Sequence, residues 1–384
     1  MADKGLEFDG GSELDEGRRA ALARIEAWRQ RAPVFRDDTI TMAHGAGGKA
    51  SQSLLTGVVL PALTAGDGGD GADDGGDTEL HRLDDGAVVD MPDGGHQLVV
   101  TTDAFVVTPR FFAGGSIGDL AVNGTVNDLA VMGATPEALT LSLVLEEGLA
   151  VSELRRILDD VAAAARAAGV TVVAGDTKVV EREAADGCYL TTTGIGFRRS
   201  DLGLGADQVR GGDTVICSGP IGDHGIAVLV ARGDLALTAD LVSDTRPLTP
   251  AVSALLDAVP ATRWMRDATR GGVASVLNEL AGASGCGVEL DEAAVPVRRP
   301  VVGACELLGL DPLYIANEGT FVAVVPADRV GDALAALRSV PGCEEAAAIG
   351  RIVDDHPRLV VANTTFGGTR ILDMLVGDPL PRIC

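Results

Sequence analysis

The hydrophobic and polar positions of the first half follow two periods, one typical of strands and one typical of helices. A 3.6-residue period predicts helices over 117–132 and from Ser152, expected as the N-cap, to Gly169. Apolar runs bounded by turn residues predict four strands: QLVVTTDAFVV (97–107), TLSLVLE (140–146), VTVVAGDT (170–177) and CYLTTTGIGF (188–197). Strands and helices therefore mix without strict βαβ alternation.

The pattern restarts after a stretch rich in Gly and charged residues at 198–213. Further strands are predicted at 213–219, 321–325 and 358–362, and helices at 273–283, 300–309 and 327–338. We predict an α+β fold with mixed sheets rather than a Rossmann fold. Its N-terminal domain covers 39–205 and its C-terminal domain covers 206–373.

Two segments lie outside this pattern. Residues 1–38 form an N-terminal extension with one short helical pattern around Leu22, Ile25 and Trp28. GDGGDGADDGGDTE (66–79) is predicted as a solvated loop, because it has too few apolar side chains to offset the entropy of ordering. Its aspartates do not have the spacing of an EF-hand calcium loop.

Composition excludes several classes of partner. The net charge of −25 repels nucleic acid and anionic membranes, so we expect neither. The six cysteines form no C-x-x-C pair, which argues against a zinc knuckle or a thioredoxin motif. The N-terminus has no apolar signal region and no apolar run is long enough to span a membrane, so we predict a cytoplasmic protein.

Glycine-rich loops are candidate phosphate sites. HGAGGKAS (44–51) precedes a predicted helix at 51–60 and offers backbone N–H groups, although it is not a Walker A motif. GPIGDHG (219–225) and RDATRGG (266–272) are similar, and the last carries Asp267, Thr269 and Arg270. Simple structural turns are the alternative interpretation for all three.

Charged residues at the ends of predicted elements suggest chemistry. Asp103, Asp128 and Asp176 each lie where a strand or helix meets a turn, as carboxylates that hold Mg²⁺ beside nucleotide phosphates do. Turn caps are the alternative for each one alone. Lys178 and Glu318 stand beside apolar segments, which suits proton transfer, with ordinary ion pairing as the alternative.

The chain ends in PRIC, so a thiol occupies its last residue, Cys384. An exposed free cysteine is prone to oxidation and is normally avoided. A single terminal cysteine is also compatible with chance, and only the rest of the chain decides between the two.

Eight strings, in order, resemble the HypE family of hydrogenase maturation proteins: ITMAHGAGGK, VTTDAFVVTPRFF, IGDLAVNGTVNDLAVMGATP, VVAGDTKVV, GPIGDHGIAVL, DATRGGVASVLNELA, YIANEG and PRIC. The resemblance runs from about residue 39 to 384. It implies the two-domain fold of ATP-using enzymes related to aminoimidazole ribonucleotide synthetase, with an N-terminal α+β domain that pairs into a homodimer. ATP would lie in the cleft between that domain and a C-terminal α/β domain, and residues 374–384 would form a mobile tail.

The resemblance also implies a reaction. The carbamoyltransferase HypF would load a carbamoyl group onto the Cys384 sulfur, and this protein would use ATP to dehydrate it to a thiocyanate. The cyanide would then reach the iron of a [NiFe] hydrogenase through the HypC–HypD scaffold. Phosphorylating the amide oxygen turns a poor leaving group into a good one, and catalysis would be largely positioning and charge stabilisation.

Site residues carry over by position. The resemblance implies Mg²⁺ at Asp103, Asp128 and Asp176, with Cys384 as substrate carrier, Lys178 as stabiliser and Glu318 as base. The implied ATP-binding residues are Gly45, Gly47, Gly48, Lys49, Asp103, Asn127, Asp128, Asp176, Thr177, Asp267, Thr269 and Arg270.

Other functions stay open at this point. A selenophosphate synthetase would be expected to carry a cysteine or selenocysteine near the first Gly-rich loop, and residues 40–55 contain none. A small-molecule kinase of the same fold is a further alternative. A non-catalytic scaffold has no need of three aspartate motifs.

Overall fold

The computed structural model describes residues 20–22, 24, 35–64, 79–92, 94–233, 240–377, 380 and 382–384. Leu22 is helical as predicted, whereas Ile25, Trp28 and residues 66–78 of the Gly/Asp-rich segment lie outside the described residues.

The first half builds a five-stranded mixed sheet in the order β1-β2-β7-β5-β6, in which only β5 and β6 are parallel neighbours. A short hairpin, β3–β4, follows β2. The strands are β1 (Ala87–Asp90), β2 (His96–Phe105), β3 (Phe111–Phe112), β4 (Gly115–Ser116), β5 (Thr135–Glu146), β6 (Thr171–Val180) and β7 (Cys188–Arg199).

Five helices belong to this half: α1 (Lys49–Leu54), α2 (Leu60–Thr64), α3 (Glu79–Arg82), α4 (Ile117–Val131) and α5 (Val151–Ala168). A π-helical turn, Leu55–Val59, joins α1 to α2. Helix α5 ends at Gly169, as predicted, because this residue adopts the left-handed conformation at φ 73°. The prediction of Ser152 as N-cap is wrong: α5 begins at Val151, and Ala150 is its extended N-cap residue.

The second half builds a seven-stranded mixed sheet in the order β14-β13-β10-β12-β8-β11-β9. Only β10 and β13 pair in parallel. The strands are β8 (Thr214–Cys217), β9 (Trp264–Asp267), β10 (Gly287–Asp291), β11 (Phe321–Val325), β12 (Ala347–Val353), β13 (Val360–Asn363) and β14 (Thr369–Leu372).

The helices of the second half are α6 (Asp223–Arg232), α7 (Thr249–Ala258), α8 (Gly272–Ser284), α9 (Arg299–Leu308) and α10 (Val330–Arg338). Short 3₁₀ turns are Met42–Gly45, Ala206–Gln208, Glu292–Ala294, Pro312–Tyr314 and Ala327–Arg329. The predicted helix over 327–338 is therefore a 3₁₀ turn followed by α10. Two sheets with helices on their faces confirm the predicted α+β class.

Helix α4 joins the two halves of the molecule. Most of its residues are apolar or small, and every residue except half-buried Asp119 is buried, so the helix presents no face to solvent. Ala130 and Val131, near its end, share a hydrophobic core with Leu248, Leu255 and Phe321 of the second half. Polar residues on α4, including Asp128, are thereby carried to the junction between the sheets.

Within the part of the chain that the structure describes, no helix is both long and apolar enough to cross a membrane.

Candidate active site

An acidic cleft of about 450 Å³ opens where the two halves meet. The end of β2, helix α4 and strand β9 each contribute an aspartate, and the loop after β9 contributes Thr269 and Arg270. The acidic side chains and the terminal residue that line it are Glu79, Asp84, Asp85, Asp103, Asp128, Asp267, Glu318 and Cys384. Residues from six separate segments therefore face one space.

Three carboxylates form the centre of the acidic cleft. One oxygen each of Asp85, Asp128 and Asp267 lies within 4.8 Å of the other two. Asp128 accepts a hydrogen bond of 2.8 Å from the Thr101 hydroxyl, which fixes its orientation. Asp103 lines the same cleft and adds a fourth negative charge.

Burial and mutual repulsion raise the pKa of these groups. Burial is the main cause at Asp128, followed by the charge of Asp103, and it raises the pKa well above the ordinary value. The same two causes raise the pKa of Asp267 to about 7. Such a cluster stores electrostatic repulsion that a bound cation relieves.

Arg266 supplies the nearest fixed positive charge. Its Nε lies 3.0 Å from Asp85 and 3.4 Å from Glu279, and the Asp85 side chain is only 9% exposed. Burial lowers the pKa of Arg266, but the carboxylates of Asp85 and Glu279 more than reverse this. Two arginines, Arg266 and Arg270, line the cleft and do not neutralise its seven acidic side chains, so it keeps a negative excess.

Glu318 is held in the cleft by its backbone, while one side-chain oxygen has no partner. Its N–H donates to Asp244, and its carbonyl accepts from the Asn127 amide. Its Oε1 is buried without a hydrogen bond, and its pKa lies well above the ordinary value, mainly because of burial and then because of Asp267. A buried, poorly solvated carboxylate is a stronger base than an exposed one.

The terminal residue is inside the cleft. The N–H of Val106 donates to the Cys384 carbonyl at 3.1 Å, and Ile383 beside it is 1% exposed. The charge of Cys384 is the largest cause of the raised pKa of Arg270, so the two lie close together. Of the described tail residues, Leu380 and Ile383 are buried and Cys384 lines the cleft, whereas Val376 and Arg382 are exposed. The sequence left this position open.

The first Gly-rich loop lies against Arg270 and forms a second cleft. A Cβ at Gly47 would lie 3.0 Å from the Arg270 Cβ, and one at Gly48 would lie 2.2 Å from the Leu375 carbonyl oxygen. Gly47 has φ +72°, so glycine is required there for both space and conformation. Lys49 is paired with Asp373 at 2.5 Å. The second cleft, also about 450 Å³, shares Leu83, Asp84 and Arg266 with the acidic cleft.

The structure does not bring Asp176, Thr177 and Lys178 to the acidic cleft of the same chain. They lie on β6, the edge strand of the first sheet, whose residues are exposed on both faces up to Val179. Asp176 accepts from Lys178 at 2.6 Å and from the Thr177 N–H. These bonds, chiefly that from Lys178, lower the pKa of Asp176. Asp85 takes the place beside Asp128 that the sequence prediction gave to Asp176.

Asn127 also differs from its prediction as an ATP-binding residue. Its side chain is buried, and it binds the backbone at Arg246 and Glu318 through Nδ2 and at Leu248 through Oδ1, at 2.7–3.1 Å. Asn127 belongs to the first half of the chain, and its three hydrogen-bond partners belong to the second half. Its side-chain amide therefore joins the two halves. The structure therefore gives Asn127 the role of holding the Glu318 loop.

Sequence reasoning missed Asp85, Arg266 and Asp244. Asp85 lies six residues beyond the end of the Gly/Asp-rich segment 66–79, and its acidic neighbours concealed it. The signal that could have found it is the position of LDDG (83–86) at the start of strand β1. Asp244 lies in an irregular segment whose role appears only when its carboxylate is seen to bind the N–H groups of Glu318 and Gly319.

The donor set fits a hard divalent cation. Three carboxylate oxygens within 4.8 Å, with a fourth carboxylate beside them, are the ligand type that Mg²⁺ prefers when it also contacts phosphate. A lone buried cluster of this charge costs free energy unless a cation or protons balance it.

Comparison with known proteins agrees with this arrangement. Residues 83–197 match the model of the AIR synthase related protein N-terminal domain, and residues 210–362 match that of its C-terminal domain. The carbamoyl dehydratase HypE of Azotobacter vinelandii is 47% identical over 350 residues, which is 91% of this chain and 98% of the relative. That of Escherichia coli is 42% identical, over 90% of this chain and all of the relative.

Solved structures give the same picture. A hydrogenase maturation protein HypE in complex with ATP has a TM-score of 0.72 at 42% identity, covering 90% of this chain and all of that one. A HypE–HypF complex has a TM-score of 0.73 at 40% identity, covering 83% of this chain and all of that one. A thiamine monophosphate kinase, 20% identical with a TM-score of 0.62, shares the fold.

The two domains and the cleft between them define a protein of the AIR synthase related class. Within this class, the chain is more than 40% identical to carbamoyl dehydratases HypE over about nine tenths of its length. The chain belongs to the HypE family, the carbamoyl dehydratases of hydrogenase maturation.

Proposed function

We propose that this protein dehydrates a carbamoyl group carried on its own Cys384 thiol to a thiocyanate, at the expense of ATP. The observation that carries the proposal is the position of the terminal residue, which lines the same cleft as the carboxylate cluster and Glu318. A thiol that could carry the substrate and carboxylates that could hold a phosphate-bound cation therefore line one cleft.

The reaction balances as follows. The carbamoyl oxygen attacks the γ-phosphorus of ATP, and ADP leaves. The nitrogen then loses two protons while the C–O bond breaks, so that phosphate departs with the former carbamoyl oxygen and the carbon–nitrogen bond becomes triple. Glu318 would accept one of these protons, because its Oε1 is buried in the cleft without a hydrogen bond, and the departing phosphate would take the other.

Mg²⁺ would be held by Asp85, Asp128 and Asp267, with Asp103 beside them. Bound there, it would neutralise charge on the transferred phosphoryl group. Gly45, Gly47, Gly48 and Lys49, together with the Thr269–Arg270 loop, would hold the ATP phosphates where the two clefts adjoin at Asp84 and Arg266. The phosphates would then replace the bonds of the Gly47 N–H to Ser51 and of Lys49 to Asp373.

We further propose that two copies pair through β6. This edge strand leaves Val172, Val173 and Val179 39%, 62% and 68% exposed, and unpaired edges of this kind invite a partner strand or sheet. Pairing would carry Asp176, Thr177 and Lys178 towards the second copy and so reconcile their exposure with their implied roles. It is the homodimer implied by the family resemblance.

The remaining partners follow from the chemistry. A carbamoyltransferase of the HypF kind must supply the carbamoyl group, and the HypC–HypD scaffold is the proposed acceptor of cyanide. All six cysteines are free thiols, which agrees with a reducing, cytoplasmic compartment.

The mass of the C-terminal peptide tests the function. The protein is first loaded by its carbamoyltransferase with carbamoyl phosphate and the ATP that this enzyme needs, and the carbamoyltransferase is then removed. The loaded protein receives Mg²⁺ with either ATP or a non-hydrolysable analogue. The analogue should leave a carbamoyl adduct on Cys384, and ATP should give that adduct less one water. Asp128→Asn should keep the adduct and stop the loss of water. An unmodified Cys384 in every sample would overturn the proposal.

A further inference from the structure

The end of the tail forms hydrogen bonds with both halves of the molecule. On one side it lies beside the segment that follows β2: the N–H groups of Val106 and Thr108 donate to the main-chain oxygens of Cys384 and Arg382 at 3.1 and 3.2 Å. The two bonds join alternate residues in antiparallel order, although Arg382 is left-handed at φ 57° and the described tail residues form no strand there. The carbonyl of Ile383 points the other way.

His224 of helix α6 receives that carbonyl. Its Nε2 lies 2.8 Å from the Ile383 oxygen, and its Nδ1 lies 2.8 Å from the Ser243 hydroxyl. The imidazole is fully buried, with the Phe112 ring edge-on at 5.4 Å between centroids. A carbonyl oxygen only accepts, so Nε2 must carry the hydrogen.

Ser243 fixes this tautomer. Burial lowers the pKa of His224 more than nearby Asp244 raises it, so the ring is neutral and its Nδ1 is an acceptor. The Ser243 hydroxyl then donates to Nδ1, while its oxygen accepts from the Thr245 N–H at 3.2 Å. The serine therefore leaves the imidazole with Nε2–H directed at the tail.

The same segment also positions the base. Asp244, next to Ser243, binds the N–H groups of Glu318 and Gly319 at 3.0 Å each. Consecutive residues thus fix the penultimate peptide of the tail and the loop that carries Glu318. Ile383 itself is buried in a core that includes Ile226, Val301 and Ile315 of the second half.

We infer that His224, oriented by Ser243, is a positioning residue that anchors the Ile383 carbonyl and so presents the Cys384 thiol to the acidic cleft. It acts through the tail peptide and touches no reacting atom. The inference rests on the proposed function for its catalytic consequence only, because the anchoring itself can be measured without any turnover.

Two polar variants separate the contacts. His224→Gln places an amide N–H near the Nε2 position and should keep the bond to Ile383. His224→Asn is one bond shorter, ends near the Nδ1 position, and should keep Ser243 but lose the tail. Leaving the buried carbonyl without a donor should raise the rate of Cys384 alkylation by roughly tenfold or more.

The first measurement is the alkylation rate of Cys384 by iodoacetamide, followed by peptide mass on the complete chain. Half-buried Cys286 serves as an internal reference. Faster labelling in the Asn variant with wild-type labelling in the Gln variant supports the anchor. Equal rates in wild type and a folded Asn variant overturn it, whatever the activity of the protein.

The second measurement compares loading with dehydration. The Asn variant should accept the carbamoyl group at least as fast as wild type, since its tail leaves more readily, and should lose water at least several-fold more slowly. A variant damaged only in its fold would lose carbamoyl loading and dehydration together. That result would overturn a specific role for His224. If the Asn variant does not fold, Ser243→Ala carries the test: faster Cys384 labelling supports the anchor and unchanged labelling overturns it.

Discussion

At the scale of single residues, the acidic cleft contains more carboxylates than the surrounding arginines neutralise. Asp85, Asp128, Asp267 and Glu318 are all buried, and burial raises each pKa. A structural role would be served as well by apolar side chains, because buried charges without partners destabilise a fold. The cluster is therefore best explained by a bound cation and by proton transfer.

Replacing Glu318 tests the base. Glu318→Gln keeps the size of the side chain and its backbone contacts but cannot accept a proton. We expect dehydration of the loaded tail to fall by roughly 10²- to 10⁴-fold, with carbamoyl loading unchanged. Single-turnover peptide mass measures both. Exposed Glu306→Gln is the matched control, and an unimpaired Glu318→Gln protein would remove this residue from the mechanism.

The raised pKa values also predict a pH dependence of stability. Without divalent cations, the folded chain holds protons on Asp267, at a pKa of about 7, and on Asp85, Asp128 and Glu318, well above their ordinary values. The unfolded chain has lost these protons by about pH 5. The folded state therefore binds more protons, so its free energy of unfolding falls as pH rises from about 5 and levels off once pH passes the folded-state pKa values, about 7 for Asp267.

Thermal unfolding in a chelator and in excess Mg²⁺ checks this dependence. The melting temperature should fall with pH in chelator, and Mg²⁺ should raise it most at the alkaline end, where the carboxylates are ionised. Asp128→Asn should flatten both effects, and exposed Asp159→Asn should not. A flat profile for the wild-type chain would contradict the buried cluster.

At the scale of elements, α4 is positioned by close backbone contact. A Cβ at Gly118 would lie 2.4 Å from the carbonyl oxygen of Ile157 on α5, so only glycine lets the two helices approach. A Cβ at Gly282 in α8 would have no neighbouring atom within 4 Å. Because α4 carries Asp128, the spacing of these helices also sets the geometry of the cleft.

The two glycines form a matched pair for alanine substitution. Gly118→Ala should reduce the free energy of unfolding by about 1–3 kcal/mol, since backbone or helix must shift. Gly282→Ala should be neutral or should add up to about 1 kcal/mol, because alanine favours a helix. Chemical denaturation of both variants measures the difference. An equal effect at the two positions would contradict the packing argument.

At the scale of the whole molecule, the site is shared between parts that are distant in sequence. The first half supplies Asp85, Asp103 and Asp128, the second supplies Asp267 and Glu318, and the tail supplies Cys384. The exposed edge strand β6 is the surface through which a second copy is proposed to bind. A functional unit built in this way has no part that works alone.

Mixed dimers test the contribution of β6. Neither Asp128→Asn nor Lys178→Ala should be active alone. If Lys178 completes the site of the partner copy, a mixed dimer has one intact site, and co-expression should restore about a quarter of wild-type activity. Mass analysis verifies that mixed dimers form. No recovery in such dimers would place Lys178 outside the partner's site.

The sequence alone determined the elements with strong local patterns and the family. The predicted strand at 321–325 coincides with β11, because its residues form an unbroken apolar run. The helix predicted over 117–132 differs from α4 by one residue, because its apolar residues follow a helical period. Strands β1, β9, β10, β12 and β14 were not predicted. They have four to seven residues and are stabilised mainly by their neighbours in the sheet.

Only the tertiary structure decided which side chains meet. Motifs showed that Asp128, Asp267 and Glu318 were unusual, since each interrupts an apolar context. They could not show that Asp85 joins Asp128 while Asp176 stays on an exposed edge, because pairing of strands brings together residues far apart in the chain. His224 falls in GPIGDHG, which the sequence indicated only as a candidate phosphate loop, and Ser243 falls in no motif. Their role exists only where the folded tail places the carbonyl of Ile383 beside them.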